Sequence, residues 1–311
     1  MNCDRRTVLV GTTAGFATVG LLSGCVPLDP GPPGRLAAKL RIIEAAAGGT
    51  LGVSIRNTAT GQTVGYKADQ RFGHCSSFKM SLAALVLKLD QDGTVNAQER
   101  IRWTRGDLMP VSPFTTSRVD KGATLLELAE ATQKTSDNAA ANFLLGRLGG
   151  PERLTRFWRD IGDEASRLDR TEPALNNVPP GEVRDTTTPH AMALTNERIL
   201  FGDVLAAERR ALLRQWMEET ETGARRVRAG LPKDWNAGDK TGTSTWPGMG
   251  GLYVDIGFAV PPGGDANTFA AYYRSPKPQQ GTDPVSENVL RQVGEVLAQF
   301  AQGTAPSGVT P

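Results

Sequence analysis

The sequence predicts an α+β fold in which one antiparallel β-sheet, flanked by helices, takes strands from both ends of the chain. Segments with a strand-like pattern occur early, at 51–57 and 63–66, and again late, at 236–244, 253–260 and 268–274. The long stretch between the two groups has a helical pattern. Strands from both ends most simply share one sheet, so we expect an α/β sandwich with an all-α domain inserted into it.

Each element has a local signal. Residues 35–47 have a helix-forming composition with one apolar face, and they end at a Gly-Gly pair. The first two strands flank a Thr-Gly turn, which indicates a hairpin. A long helix begins at Ser76 and ends near Gly93, and because it is apolar on nearly all sides we expect it to be buried. Further helices are predicted at 125–132, 139–148, 151–161, 190–200, 207–219 and 286–300.

These patterns, with the Pro- and Gly-rich segments, suggest a division of the chain. The predicted parts are a signal peptide at 1–24, a lipidated tether at 25–34, a discontinuous α/β domain at 35–70 and 219–303, an all-α domain at 71–218 that includes a loop around Glu172, and a flexible tail at 304–311.

The composition excludes several classes of function. The chain has 311 residues, of which 39% are hydrophobic, enough for a core in one or two domains. Its net charge of +2 gives no reason to expect a nucleic-acid partner. Its two histidines, His74 and His190, are too few and too far apart in sequence for a typical zinc hydrolase, so we expect no metal or cofactor. Without an extended heptad pattern we expect a monomer.

The N-terminus has the pattern of an export signal. Arg5 and Arg6 precede the apolar run 8–22, and the tetrapeptide LSGC at 22–25 resembles a bacterial lipobox, in which Cys25 becomes the lipidated first residue. A plain signal peptide is the alternative. The paired arginines resemble a twin-arginine signal, and the general secretory route stays open. We therefore expect an exported protein held on the outer side of the cell membrane by lipid.

The cysteines fit this interpretation without a disulfide. Cleavage before Cys25 would remove Cys3 and leave Cys25 and Cys75. A lipidated Cys25 cannot pair with Cys75, so the fold must depend on its core, although the compartment permits disulfides.

Three short motifs occur once each: SSFK at 76–79, SDN at 136–138 and KTG at 240–242. A serine hydroxyl is a poor nucleophile until a neighbouring base takes its proton. In a helix, Lys79 lies on the same face as Ser76, and the helix start leaves the Ser76 N–H free for an oxyanion. Each motif alone has a structural alternative, namely an N-cap followed by a surface lysine, helix capping, and an exposed edge strand.

A fourth stretch is proline-rich and irregular, from 167 to 185, and irregular loops of this kind are often functional. It contains EPALN at 172–176. Together the four motifs resemble the serine β-lactamases and penicillin-binding proteins, and the fourth narrows the resemblance to class A β-lactamases. The resemblance covers about residues 51–300, and it implies the same fold that the strand and helix pattern predicts.

The resemblance implies a role for each motif. Ser76 attacks the lactam carbonyl, Ser136 passes a proton to the lactam nitrogen, and Asn138 holds Lys79 and the side-chain amide of the substrate. Lys240 adds positive charge beside Ser136.

The substrate carboxylate also needs partners. Thr241 and Thr243 carry hydroxyl donors suited to it, and the N–H of Thr243 would complete the oxyanion hole. A further cation is expected, with Arg226 favoured and Arg274 as the second candidate.

The loop residues separate a β-lactamase from a peptidase. In class A enzymes, residues that match Glu172 and Asn176 hold the water that deacylates the serine, and residues that match Arg170 and Asp185 form an ion pair that closes the loop. Without such a base the acyl-enzyme persists, as in a penicillin-binding D,D-peptidase, which is the alternative function. A third possible function is that of a lipoprotein that binds the cell wall and has no enzymatic activity. Whether Lys79 or Glu172 through water activates Ser76 stays open.

Several positions depart from the family pattern and affect specificity. Val111 stands where many members carry an aromatic residue, and Ser244 stands where some carbapenem-hydrolysing members have a cysteine. Cys75 therefore lacks that partner and is expected to be a packed free thiol. The pair Trp246-Pro247, which follows the Lys240 strand, is unusual for the family at the rim of the substrate pocket. The preferred class of β-lactam and the response to inhibitors stay open.

Overall fold

A five-stranded antiparallel sheet in the order β2-β1-β9-β8-β7 organises the protein, for which a computed structural model describes residues 31–303. The strands are β1 (Thr50–Asn57), β2 (Thr63–Tyr66), β3 (Phe72–Gly73), β4 (Arg100–Ile101), β5 (Ala123–Thr124), β6 (Thr186–Thr187), β7 (Asn236–Ser244), β8 (Gly250–Val260) and β9 (Asn267–Pro278). Strands β1 and β9 pair along their length, from Thr50 opposite Arg274 to Asn57 opposite Asn267. The two ends of the chain therefore share one sheet, as predicted.

Helices cover both faces of this sheet. They are α1 (Gly31–Ala47), α2 (Phe78–Gln91), α3 (Pro113–Ser117), α4 (Leu125–Lys134), α5 (Asn138–Leu148), α6 (Pro151–Asp160), α7 (Pro189–Leu200), α8 (Ala207–Glu218) and α9 (Pro284–Gly303). No helix among residues 31–303 has the length and hydrophobicity needed to cross a membrane.

The alternation of side chains along β9 shows how the two faces differ. Phe269 and Tyr273 join the core formed with α1 and α9. Tyr272, which points to the opposite face of the strand, joins the core that contains α2 and the helical middle of the chain. The sheet thus lies between two apolar layers, because successive strand residues point to opposite faces. The α+β prediction, with an antiparallel sheet flanked by helices, is confirmed.

The boundaries differ in a few places, each for a local reason. Helix α1 begins at Gly31, so residues 31–34 of the predicted tether are helical. Pro32 and Pro33 do not prevent this, since the first turn of a helix needs no N–H donors from them. Helix α3 was not predicted, because only five residues form it.

The start of the long helix also differs. A 3₁₀ turn at Cys75–Ser77 precedes α2, which begins at Phe78 rather than Ser76. Cys75 has a φ of +45°, a left-handed conformation that prevents the α-helix from extending backwards.

Some predictions lie outside the described residues. The signal peptide, the lipidation of Cys25 and the tail at 304–311 fall there. The division into a discontinuous α/β domain and an all-α domain stays a prediction.

Candidate active site

Ser76 lies in the turn before α2, against the sheet. Its backbone N is close to Gly242 on β7, because a Cβ placed on Gly242 would lie 2.9 Å from that nitrogen and 2.8 Å from Cβ of Cys75. Any side chain at 242 would therefore displace the Ser76 turn. The glycine lets the strand approach the serine closely.

Lys79 is completely buried, and its Nζ is the central donor of the site. It donates to Ser76 Oγ at 3.0 Å, to the Ser136 carbonyl at 2.9 Å and to Asn138 Oδ1 at 2.5 Å. Nζ is also 3.1 Å from Glu172 Oε1. Burial lowers the pKa of Lys79, whereas the negative charge of Glu172 opposes that shift.

The 136–138 segment links the helical part to the sheet. Ser136 has a φ of +61°, and its Oγ accepts a hydrogen bond of 3.0 Å from Lys240 Nζ. Asp137 caps α5 by accepting from Ala140 N at 2.8 Å, so the segment is a helix cap as well as part of the site. Burial places the pKa of Lys240 well below its usual value, and the nearby charge of Lys79 lowers it further.

Glu172 comes from the irregular loop and reaches the nucleophile. The Ser76 hydroxyl donates to Glu172 Oε1 at 3.3 Å, and Asn176 Nδ2 donates to Oε2 at 2.6 Å. The backbone of Glu172 is held on both sides by Asn142, whose amide donates to the Glu172 carbonyl at 2.8 Å and accepts from its N–H at 3.0 Å. Glu172 is thus almost completely buried beside Ser76.

Asn142 was not predicted from the sequence. One signal was available, because Asn142 follows Asn138 by four residues on α5 and so lies on the same face of that helix. The pairing with a loop 30 residues away could not be read from that spacing.

Arg170 and Asp185 lie at the base of the loop. Arg170 Nε donates to Asp185 Oδ2 at 2.5 Å, and the backbone N–H groups of Asp169 and Arg170 donate to Oδ1 at 2.7 and 2.9 Å. The Asp185 side chain is fully buried. These contacts join the two ends of the segment that carries Glu172.

The two candidate cations have different surroundings. Arg226 is buried and donates through Nη1 to the Gly242 carbonyl at 2.8 Å and through Nη2 to Thr243 Oγ1 at 2.6 Å. It lines the same cavity as Ser76, together with Thr241. Arg274 does not line that cavity and contacts the loop instead.

A cavity of about 410 Å³ joins these groups. Its lining includes Glu221, Thr222 and Glu287, which were not predicted from the sequence. Val111 also lines it and is 64% exposed, so this side of the mouth is open.

The departures from the family pattern can also be located. Ser244 donates to the Asn176 carbonyl at 2.9 Å and is not part of the cavity lining. Cys75 is a buried free thiol, as predicted. Trp246 is half-buried beyond the end of β7.

The arrangement can perform nucleophilic acyl transfer. It has a serine between two proton-transfer groups, a close backbone N–H for an oxyanion, and cations for an anionic substrate. The second carboxylate oxygen of Glu172 is already fixed by Asn176, as required of a group that holds water.

Comparison with known proteins gives a consistent result. The model of the "Beta-lactamase enzyme family" matches residues 35–301. The β-lactamase of Streptomyces fradiae is 43% identical over 267 residues, covering 84% of this chain and 85% of that protein. The β-lactamase Toho-1 of Escherichia coli is 41% identical over 239 residues, covering 77% of this chain and 81% of that protein.

Solved structures agree with the sequence relatives. The class A β-lactamase of the last common ancestor of Gram-negative bacteria is 43% identical and superposes with a TM-score of 0.80, covering 85% of this chain and 98% of that one. A β-lactamase from Xanthomonas campestris is 37% identical with a TM-score of 0.81, covering 88% of this chain and 99% of that one.

Proposed function

Because this chain belongs to the β-lactamase enzyme family, as a class A member, we propose that it hydrolyses the amide of penicillins and cephalosporins through an acyl-enzyme on Ser76. One observation carries the proposal: the Glu172 carboxylate lies 3.3 Å from Ser76 Oγ and is fixed by Asn176. A bacterium that carries the protein would gain resistance to these antibiotics.

In the acylation step, Ser76 Oγ attacks the lactam carbonyl carbon and the C–N bond breaks. The N–H groups of Ser76 and Thr243 stabilise the oxyanion. The proton of the hydroxyl passes to a base, and Ser136 delivers a proton to the leaving nitrogen. Lys240 supports this because its Nζ donates to Ser136 Oγ at 3.0 Å.

Two groups contact the hydroxyl and can accept its proton. Lys79 Nζ is 3.0 Å from Ser76 Oγ and Glu172 Oε1 is 3.3 Å from it. The lowered pKa of Lys79 makes its neutral amine, the form that can act as a base, easier to reach than in an exposed lysine. A water between Glu172 and Ser76 gives the second route, so both bases stay in the proposal.

In the deacylation step, Glu172 takes a proton from water held with Asn176, and the hydroxide attacks the ester carbonyl of the acyl-enzyme. The bond between the acyl carbon and Ser76 Oγ breaks, and Oγ takes back the proton that Glu172 removed from water, which regenerates both groups. Arg226, Thr241 and Thr243 bind the substrate carboxylate throughout. The family alternative without this second step is a penicillin-binding D,D-peptidase, and the Glu172–Asn176 contact favours hydrolysis.

The first test is a time course with a chromogenic cephalosporin and purified protein that begins at residue 26. Sustained turnover, with many product molecules per protein, supports the β-lactamase. A burst of one product per protein that then stalls would mean acylation without deacylation and would favour the peptidase. Absence of any product, together with no labelling of Ser76 by a fluorescent penicillin, would contradict both.

We also propose that the protein is exported, by the twin-arginine or the general secretory route, and anchored by lipid on Cys25, as the LSGC sequence at 22–25 predicts. Mass spectrometry of protein from the membrane fraction should detect acyl mass on Cys25, and Cys25→Ser should release the protein from that fraction. An unmodified N-terminus at another residue would contradict the anchor. Replacing Arg5 and Arg6 by lysine tests the twin-arginine route, because export should then stop.

A further inference from the structure

The chain that follows Glu172 is attached to the rest of the protein through consecutive backbone carbonyls. The carbonyls of residues 176–178 accept hydrogen bonds of 2.9 Å, in chain order, from Ser244 Oγ, Arg170 Nη2 and Arg274 Nη2. This segment has little regular secondary structure of its own. Its position therefore depends on these side chains.

Two of the three donors come from one row of the sheet. Ser244 on β7 pairs with Leu252 on β8, and Leu252 pairs with Arg274 on β9. Residues directly opposite each other in an antiparallel sheet point to the same face, so Ser244 and Arg274 lie on either side of Leu252. Val178 packs in the same place, because a Cβ on Gly73 would lie 3.1 Å from the Val178 side chain and 3.2 Å from that of Leu252.

Arg274 joins the loop to the sheet directly. While Nη2 donates to the Val178 carbonyl, Nη1 donates to the Gly250 carbonyl at 3.3 Å. Gly250 lies where the register between β8 and β9 shifts, so its surroundings are irregular. The planar guanidinium can serve both carbonyls at once, which a single amine does less well.

Other functions for Arg274 fit the structure less well. It does not line the cavity that contains Ser76, so it is badly placed for the substrate carboxylate. No carboxylate in residues 31–303 forms a salt bridge with Arg274. Its polar contacts are backbone carbonyls of two separate elements.

We propose that Arg274 is a positioning residue for deacylation: it fixes the segment 176–178 on the sheet and so keeps Asn176 against the Glu172 carboxylate. The inference depends on the proposed role of Glu172. The acylation groups Ser76, Lys79 and Ser136 make no hydrogen bond to Arg274, so loosening this contact should affect the second step selectively.

The test separates the two chemical steps in Arg274→Met. Rapid quenching with benzylpenicillin, followed by intact-protein mass spectrometry, measures formation and loss of the acyl-enzyme on Ser76. We expect deacylation to slow on the order of 10-fold while acylation stays within about 2-fold, because small displacements of a catalytic group are costly. Arg274→Lys, which retains the charge and can reach one carbonyl, should give an intermediate deacylation rate.

Arg210→Met is the matched control. Arg210 also donates to two backbone carbonyls, those of Gly202 and Leu205, but these lie away from the loop. Its deacylation rate should equal that of the unmodified protein, even if both variants melt at a lower temperature.

Three results would decide against the inference: unchanged deacylation in Arg274→Met, equal slowing of both steps, or equal slowing of deacylation in Arg210→Met. If Arg274→Met does not fold, Arg274→Gln, which is too short to reach both carbonyls, takes its place. Failure of the unmodified protein to deacylate would instead contradict the proposed function.

Discussion

The two segments that meet at Ser76 are positioned by different forces. Lys79 belongs to the first turn of α2, and Ser76 belongs to the 3₁₀ turn that leads into it. The residues of α2 from Phe78 to Leu87 are all buried in the core. Glu172 belongs to a loop whose contacts are mainly hydrogen bonds and one buried ion pair. The hydrophobic effect is non-directional and is shared among many contacts, whereas a hydrogen bond depends on one partner. Hydrolysis should therefore be easier to damage by single substitutions than acylation.

The largest expected effect removes the base itself. Glu172→Gln keeps the size of the side chain but cannot take a proton from water, so deacylation should fall by about 10²- to 10⁴-fold, the usual contribution of a general base. Intact-protein mass spectrometry should then show the acyl-enzyme accumulating. Ser76→Ala is the control and should form no adduct. Normal turnover by Glu172→Gln would contradict the assignment.

The next effect concerns the ion pair that closes the loop. Arg170→Met leaves the fully buried Asp185 carboxylate without its cation, and breaking a buried pair in this way costs about 3–5 kcal/mol of unfolding free energy. Urea denaturation measures the loss. Arg184→Met is the matched control, because Arg184 is 53% exposed and its pair with Glu182 lies at the surface of the same loop. Its cost should be below about 1 kcal/mol. Equal costs would show that the Arg170–Asp185 pair has no special role.

A pH dependence should arise where the two segments touch. The backbone N–H of His74 donates to the Asp185 carbonyl at 2.9 Å, and the fully buried imidazole ring stacks on Trp158. Burial lowers the pKa of the His74 imidazole from 6.5 to about 4. Between these pH values the unfolded chain binds a proton that the folded protein does not, so stability falls as the pH decreases.

This loss amounts to about 3 kcal/mol by pH 4, since one pKa unit corresponds to about 1.4 kcal/mol. Urea denaturation at pH 7 and pH 4.5 measures it, with His74→Gln as the variant in which this contribution disappears. If the variant loses as much stability over this interval as the parent protein, the buried histidine is not its source.

The smallest expected effect concerns the residue before the nucleophile. Burial raises the pKa of the Cys75 thiol to about 12, so almost no thiolate exists at pH 8. In protein that begins at residue 26, where Cys75 is the only cysteine, a disulfide reagent should react only after denaturant is added. Rapid modification of the folded protein would show that the Ser76 turn opens more readily than its burial suggests.

The sequence predicted the catalytic residues of the site better than the residues that hold them in position. Ser76 and Lys79 are three residues apart, so local spacing was sufficient to place them together. Glu172 could be placed only through the family resemblance, because nothing local connects it to Ser76. Asn142 was missed because its partner is a backbone group of a distant loop.

Arg274 is a second residue whose contacts with a distant part of the chain could not be predicted from the sequence. Its charge and its position at a strand end suggested a substrate cation, but the sheet register directs it to the Val178 carbonyl. Strand register is a tertiary property, and the carbonyl that Arg274 reaches lies 96 residues away in sequence. The strands themselves were predicted because their alternation is local, and Asn236–Ser244 has the expected bounds.

The pairing of β1 with β9 has a consequence for synthesis and export. Thr50 and Arg274 are opposite each other although 224 residues separate them, so β1 must wait for nearly the entire chain before it can pair with β9, the central strand of the sheet. Such non-local contacts slow folding, because loop closure costs entropy before the contacts form. While the chain emerges from the ribosome, β1 and β2 are a hairpin without their neighbour. Their unpaired edge is then the part of the chain that most needs protection from aggregation until the C-terminal strands arrive.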